Sequence, residues 1–394
     1  MKPLEDVTVL DLSRALAGPY CTLMLADMGA DVIKIEQPGR GDDTRGWGPP
    51  FIEGESAYFL SVNRNKKSVT LNLKEPEGKE IFYKLATDVD VIVENFRPGT
   101  TEKLSIDYNN IRERNEKIVY CSISGFGQDG PYRHRPGYDL ILQGMGGLMT
   151  MTGEQEGGPV KVGVAITDIA AGMFGAYGIV LALLSREKTG KGQYVDISML
   201  DCQVSWLTYQ AGAFFATGKT PQRLGSAHPT IVPYQAFKTQ TGYINIAVGS
   251  EKLWKSFCEA IDRKSLAENP EYATNKDRVQ NREILISLLQ NIFSQKSTEE
   301  WLQILDDHGV PAGPIYTFHQ IFTDPQVLHR DMLVKMNHPT AGTIKQTGIQ
   351  VKLSETPGAI ETSPPLLSQH TYDILSSLGY SSQHIENLKE NGII

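Results

Sequence analysis

Cysteine is scarce: the 394-residue chain has four, Cys21, Cys121, Cys202 and Cys258. No two form a CxxC pair. That excludes a disulfide framework and a thiolate zinc site, and leaves reduced, mostly buried thiols of the cytoplasmic kind. The eight histidines show no HxH or HExxH spacing, so no metal motif is present. Positive charge is in deficit, with a formal net charge of −8, which excludes a nucleic-acid partner held by bulk electrostatics. Long uncharged apolar runs are missing too. The most apolar stretch, Ile169 to Leu184, is rich in Gly and Ala and bounded by Asp168 and Arg186. It reads as a buried core helix, and no membrane segment is expected. The first residues, MKPLEDVTVLDL, enter a strand at once, so no secretory signal is expected. Glycine signatures for nucleotides are also absent. Gly144-Met145-Gly146 lacks the third glycine of a dinucleotide fingerprint, and neither GxxxxGK[ST] nor GxSxG occurs.

What the chain does have is alternation of strand and helix. VTVLDL (7–12), DVIKIE (31–36), SVTLNL (68–73), DVIVEN (90–95), IVYCSIS (118–124) and QYVDISM (193–199) are apolar, β-branched runs. Between them lie helical stretches such as 18–28, opened by Gly18-Pro19 and closed by Gly29. This pace predicts a doubly wound α/β sheet with right-handed crossovers. Residues 38–54 form a polar, Gly-rich surface excursion. Residues 217–235, rich in Gly, Pro, Thr and Ser, mark a boundary before a smaller α+β unit.

Asp168 is the leading chemical candidate. A β-branched apolar run ends at Thr167 and reads as a further strand; a long small-residue helix then begins, with Asp168 in or beside its first turn. Orphan N–H groups and the positive helix end converge there, so the carboxylate is expected to stay ionised and becomes a candidate nucleophile. Aspartate is also among the best N-cap residues, and most at such positions only cap. In open α/β sheets ligands bind beyond the carboxyl ends of strands. Ser13–Gly18, Asn95–Gly99 and Gly125–Gln128 lie at such ends. Arg40, Arg45, Arg64, Lys66, Lys67, Lys74, Arg97, Lys103, Arg133 and Arg135 cluster near these loops, a set suited either to the phosphates of a nucleotide-like ligand or to a solvated surface.

The segments VLDLSRALAGPYCTLMLADMGADVIKIE, NRNKKSVTLNLK, VENFRPG, GFGQDGPY, RPGYDLILQG, the Asp168 stretch with REKTGKGQYVDISM, and GVPAGPI resemble the class III CoA-transferases, the family of formyl-CoA transferase and L-carnitine CoA-transferase. The resemblance spans essentially the whole chain. It implies a Rossmann-like large domain built from both chain ends, here 1–216 and 330–394, with a linker and smaller α+β domain at 217–329. It implies an interlocked homodimer, and coenzyme A thioesters as substrate with no tightly bound cofactor. By matching position it makes Asp168 the catalytic aspartate and places Arg14, Ala15, Leu16, Lys74, Asn95, Phe96, Lys103 and Tyr138 at the CoA, with Asp139 near the reacting thioester. Arg97 joins this set from its place at a strand end.

The implied reaction moves CoA from an acyl-CoA to a free carboxylic acid through an anhydride and an aspartyl-CoA thioester on Asp168. Departures narrow it. Leu16 stands where the formyl-CoA enzyme has glutamine, and AVGSEK (247–252) where it has a tetraglycine loop, so formate and oxalate chemistry are disfavoured. Leu16 and Met145 suggest an apolar pocket wall, and a dicarboxylate such as succinate fits as donor. Lys103 replaces a common arginine. Tyr138 stands where the related α-methylacyl-CoA racemases need histidine, and a phenol is a poor proton shuttle near neutral pH. Racemisation and CoA binding without turnover remain the alternative readings.

Overall fold

A computed structural model describes residues 1–394. The chain divides into two compact units, Met1–Leu148 with Lys161–Phe215 and Gln326–Ile394, and Met149–Val160 with Ala216–Pro325. The segment Met149–Val160 was expected in the large domain and instead belongs to the smaller unit. Its backbone is tied there: the Gly225 N–H donates to the Gly153 carbonyl at 2.9 Å, and the Arg223 guanidinium to the Gly157 carbonyl at 2.8 Å.

The larger unit is built on six parallel strands: β1 (Thr8–Asp11), β2 (Asp31–Glu36), β3 (Lys66–Thr70), β4 (Val91–Glu94), β5 (Val119–Ser124) and β6 (Tyr194–Ser198). Their spatial order is β3-β2-β1-β4-β5-β6. Every neighbouring pair is parallel, so all carboxyl ends share one edge. The order reverses between β1 and β4, which opens a crevice where a ligand can reach backbone from both sides.

Both faces are covered, which is why these strands read as continuous apolar runs. Val9, Val32, Val91, Val93, Val119, Cys121 and Ile123 enter one layer with helices α1 (Ala17–Asp27) and α4 (Ile166–Thr189). Leu10, Ile33, Ile92 and Tyr120 enter the other, with α2 (Pro76–Asp88) and the C-terminal residues Leu375, Ile385, Leu388 and Ile393. The chain end therefore completes the core of the unit that the first strands began.

Small residues let α4 approach α1 and the sheet closely. A Cβ on Gly172 would lie 2.7 Å from the Ala17 carbonyl oxygen, and one on Gly175 would lie 3.1 Å from Cys21 Sγ. With 24 residues, α4 has the length and composition of a membrane-crossing helix, contrary to the expectation that none would reach that size; half of its apolar stretch is buried inside the protein. Its other face, with Met173, Tyr177, Leu181 and Leu184, is exposed.

The smaller unit has a three-stranded antiparallel sheet, Ala312–Pro314, Tyr243–Ala247 and Tyr234–Lys238 in spatial order. It packs against helices Glu251–Ala260, Arg282–Phe293 and Thr298–Asp307 around Phe237, Trp254, Phe257, Phe293 and Trp301.

The Gly172 contact is backbone against backbone, so it cannot relax by a side-chain rotation. Gly172→Ala is expected to lower unfolding free energy by about 1–3 kcal/mol, read as a lower urea midpoint. Gly163→Ala, whose Cβ meets open space, is expected to leave the midpoint unchanged.

Candidate active site

No strand precedes Asp168. The Val162 N–H is taken by the Gln143 side-chain oxygen at 2.8 Å and the Ile166 N–H by the Val164 carbonyl at 2.9 Å, which leaves the KVGVAIT segment without a ladder partner. Helix α4 starts at Ile166 with Ala165 as N-cap, a residue with no side chain to accept from the first turn. Asp139, the first residue of α3 (Asp139–Met145), does so instead: its Oδ1 accepts the Thr167 N–H at 3.0 Å. Its Oδ2 accepts from the Gln143 amide at 2.7 Å, and the Thr167 hydroxyl donates to Gln203 Oε1 at 2.9 Å.

Asp168 is thereby relieved of capping. It stands at the third helical position, partly buried, and accepts the backbone N–H of Ala17, the first residue of α1. Burial first, and the charge of Asp139 second, push its pKa up to about 7, against the Ala17 hydrogen bond that lowers it. The expectation of a carboxylate ionised throughout is corrected. Near neutral pH the protonated and ionised forms coexist, because desolvation and a like charge outweigh the helix end.

Asp168 lines a cavity of about 220 Å³ at the carboxyl edge of the sheet, together with Arg14, Ala15, Asn95, Phe96, Arg97 and Tyr138. The loop after β1 is held at nearly every polar group. Asn95 Oδ1 accepts the Arg14 N–H at 2.8 Å, while its amide donates to the Arg14 carbonyl at 2.7 Å. Lys34 Nζ donates to the Ser13 carbonyl at 2.7 Å and pairs with Asp42 at 2.9 Å. Asp42 Oδ1 accepts the Ala15 N–H at 3.3 Å. These bonds hold Ala15 at φ +64°, a conformation an alanine adopts only under constraint. The turn delivers the Ala17 N–H to Asp168.

A second cavity of about 290 Å³ shares Arg14 and Phe96 with the first and adds Lys74. The Arg14 guanidinium lies 5.3 Å from the Phe96 ring centre. The other sequence candidates are placed differently. Lys103, exposed in the last turn of the short helix Thr100–Leu104, lines neither cavity. Leu16 is the N-cap of α1, its carbonyl accepting the Tyr20 N–H at 2.8 Å, and Met145 is exposed at the end of α3. Neither lines the Asp168 cavity, so the expected apolar wall is not formed by them.

The basic cluster divides in two. Arg45 pairs with Glu36, Arg64 with Asp27, Lys66 with Asp11, Lys67 with Asp31 and Arg40 with Asp43, all at 3.1 Å or less. Arg45, Arg64 and Lys66 are paired inside the fold, Arg40 and Lys67 at its surface; burial lowers the Lys66 pKa to about 8 even with Asp11 beside it.

Sequence reasoning missed Trp47 and Tyr58. Trp47 lines the Asp168 cavity and meets the Tyr58 ring edge-on at 5.2 Å. Burial, then the charges of Asp168, Asp42 and Asp139, push the Tyr58 phenol up to about 12. A lone tryptophan in the Gly/Pro-rich excursion was the available signal. Glu94 was missed as well. It is buried at the end of β4 and its Oε2 accepts the Phe96 N–H at 2.8 Å; burial pushes its pKa up to about 7, against hydrogen bonds from Ser122 and Phe96.

Comparison with known proteins matches this architecture throughout. The model of CoA-transferase family III matches residues 4–371. Succinyl-CoA:glutarate CoA-transferase of Mus musculus is 47% identical over 100% of this chain and 91% of its own length. Succinate–glutarate CoA-transferase of Agrobacterium fabrum is 40% identical over 95% of this chain and 96% of its own. The crystal structure of a CAIB/BAIF family protein from Brucella suis superposes with a TM-score of 0.86 at 40% identity, covering 96% of this chain and 99% of that one. The chain belongs to CoA-transferase family III and is an acyl-CoA:carboxylate CoA-transferase.

Proposed function

We propose that the protein transfers CoA between dicarboxylic acids through covalent intermediates on Asp168. The observation that carries this reading is the release of Asp168 from capping, at the floor of a cavity and against the Ala17 N–H. The glutarate and succinate in the relatives' names support dicarboxylic substrates. The nucleotide end of CoA occupies the cavity of Lys74, and its arm passes Phe96 and Arg14 toward Asp168. Arg97 and Tyr138 border that path; Tyr138, with 68% of its surface exposed, is free to be covered by ligand.

The ionised Asp168 carboxylate attacks the thioester carbonyl. An anhydride forms between Asp168 and the donor acyl group, and CoA leaves as thiolate. The thiolate attacks the aspartyl carbonyl, which gives an aspartyl-CoA thioester and frees the donor acid as carboxylate. The acceptor carboxylate attacks that thioester, again releasing thiolate and forming an anhydride. Thiolate attack on the acceptor acyl carbonyl yields the new acyl-CoA and restores Asp168. The Ala17 N–H, fixed by the braced loop, orients the aspartyl oxygen and stabilises charge on it when the tetrahedral centre forms at the aspartyl carbon. Each step exchanges one activated acyl bond for another.

The exposed apolar stripe of α4, with Tyr177, Leu181 and Leu184, supports the further reading that two copies pair through this face as an interlocked homodimer.

Rapid quench with succinyl-CoA followed by mass spectrometry is expected to find an increment on the Asp168 peptide. Asp168→Ala is expected to lose both the increment and turnover, by on the order of 10⁴-fold or more; near-normal turnover would refute the mechanism. In the free enzyme kcat/KM is expected to rise with pH through about 7 and then level. The raised pKa has a stability sign as well. Relative to the unfolded chain, Asp168 favours the fold most below pH 3.8, and that contribution is lost as pH rises through about 7. Asp168→Asn is therefore expected to raise Tm more at pH 8 than at pH 5. Light scattering is expected to find a dimer in solution; a wild-type monomer would refute the pairing.

A further inference from the structure

A second negative charge on the substrate creates a problem that the site must solve. The Asp168 cavity already has two carboxylates in its lining, Asp168 and Asp43, and Asp139 lies close enough to Asp168 to raise its pKa. A dicarboxylic acyl group brings its reacting end to Asp168 and carries a further carboxylate on the same short chain. Without a cation in the same cavity, that charge is repelled and desolvated without compensation.

Three cations line the cavity: Arg14, Arg97 and Arg135. Arg14 is engaged with Asp43 at 3.3 Å and with the Phe96 ring, and it also borders the second cavity. Arg97 immediately follows Phe96, the ring common to both cavities. Like Arg97, Arg135 borders the Asp168 cavity but not the second one and has no carboxylate partner. It is also held in place. Its guanidinium lies 4.0 Å from the Tyr132 ring centre, and that ring meets Phe126 edge-on at 5.6 Å. Its N–H donates to the Tyr132 carbonyl at 2.8 Å. Two residues on, Gly137 packs backbone to backbone on Gly125, where an added Cβ would come within 2.7 Å of the Gly125 Cα. Two further on, Asp139 is bound to the start of α4. The bend carrying Arg135 is thus fixed to the same helix turn that presents Asp168.

We propose that Arg135 receives the far carboxylate of the dicarboxylic substrate, and that this contact selects dicarboxylic over monocarboxylic acids. Stacking on Tyr132 leaves the edge N–H groups of the guanidinium available, the fork geometry that matches a carboxylate with two parallel hydrogen bonds. Arg135 is then a substrate-contacting specificity residue, and its role rests on the Asp168 transfer reading above.

The test changes the substrate and the residue together. With succinyl-CoA as donor, kcat/KM is measured for glutarate and for its monoamide, glutaramate, which keeps the reacting carboxylate and replaces the far one by a neutral group. In a double-displacement scheme kcat/KM for the acceptor is independent of the donor half-reaction, so slower loading of Asp168 does not confound it. The wild type is expected to prefer glutarate by about 10- to 100-fold, the range of a hydrogen-bonded charge pair. In Arg135→Gln the preference is expected to shrink to within about threefold, with Arg135→Lys intermediate and Arg97→Gln retaining the wild-type preference. A preference that persists in Arg135→Gln, or vanishes in Arg97→Gln, overturns the assignment to Arg135 while leaving the transfer reading intact. A wild type that labels Asp168 with no acyl-CoA and transfers none overturns both.

Discussion

One hydrogen bond organises the candidate site of this protein: the carboxylate of Asp139 on the N–H of Thr167. A helix whose N-cap is alanine leaves its first-turn donors to be satisfied from elsewhere. Had Asp168 turned back to serve them, it would be a structural residue. Because Asp139 serves them, Asp168 points away and reaches the N-terminus of a second helix at Ala17. The same arrangement brings the two acids together, so the residue that frees Asp168 also raises its pKa. The helix cap and the cavity wall are divided between two aspartates of the same side-chain chemistry, separated by what each one binds.

The loop opposite Asp168 depends on charges that never meet solvent. Lys34, Lys66, Asp11 and Asp42 lie beneath it, almost wholly buried. Such pairs are weak sources of stability, since desolvation consumes most of their attraction. Their value here is geometric. Lys34 grips the Ser13 carbonyl, Asp42 the Ala15 N–H, and Asn95 both polar groups of Arg14. An alanine at positive φ persists because three side chains over-determine it.

Much of this was legible in the chain because periodicity and strand ends are local. The apolar runs at 7–12, 31–36, 90–95 and 118–124 form strands in the expected places, and Asp168 falls in the first turn of its helix. What failed depended on partners distant in sequence. The KVGVAIT run has strand-like residues, yet Gln143 takes its N–H. Arg64 and Lys66 read as phosphate ligands or solvated surface, but Asp27 and Asp11 claim them within the core. Trp47 sits in a stretch whose composition says only loop, and its ring partner Tyr58 lies beyond that stretch, on the short helix Ala57–Val62. The shifted pKa of Asp168 follows from Asp139, 29 residues earlier, and from burial that no local window contains.

The layer beneath β1, β2, β4 and β5 is closed by Leu375, Ile385, Leu388 and Ile393. Those side chains follow all four strands in the chain. Until they dock, α2 covers that face of the sheet only in part, and the Asn72 N–H waits for the Ile393 carbonyl, 2.7 Å away in the finished fold. Folding of the larger unit is thus bound to contacts between residues far apart in the chain rather than to the order in which its strands appear.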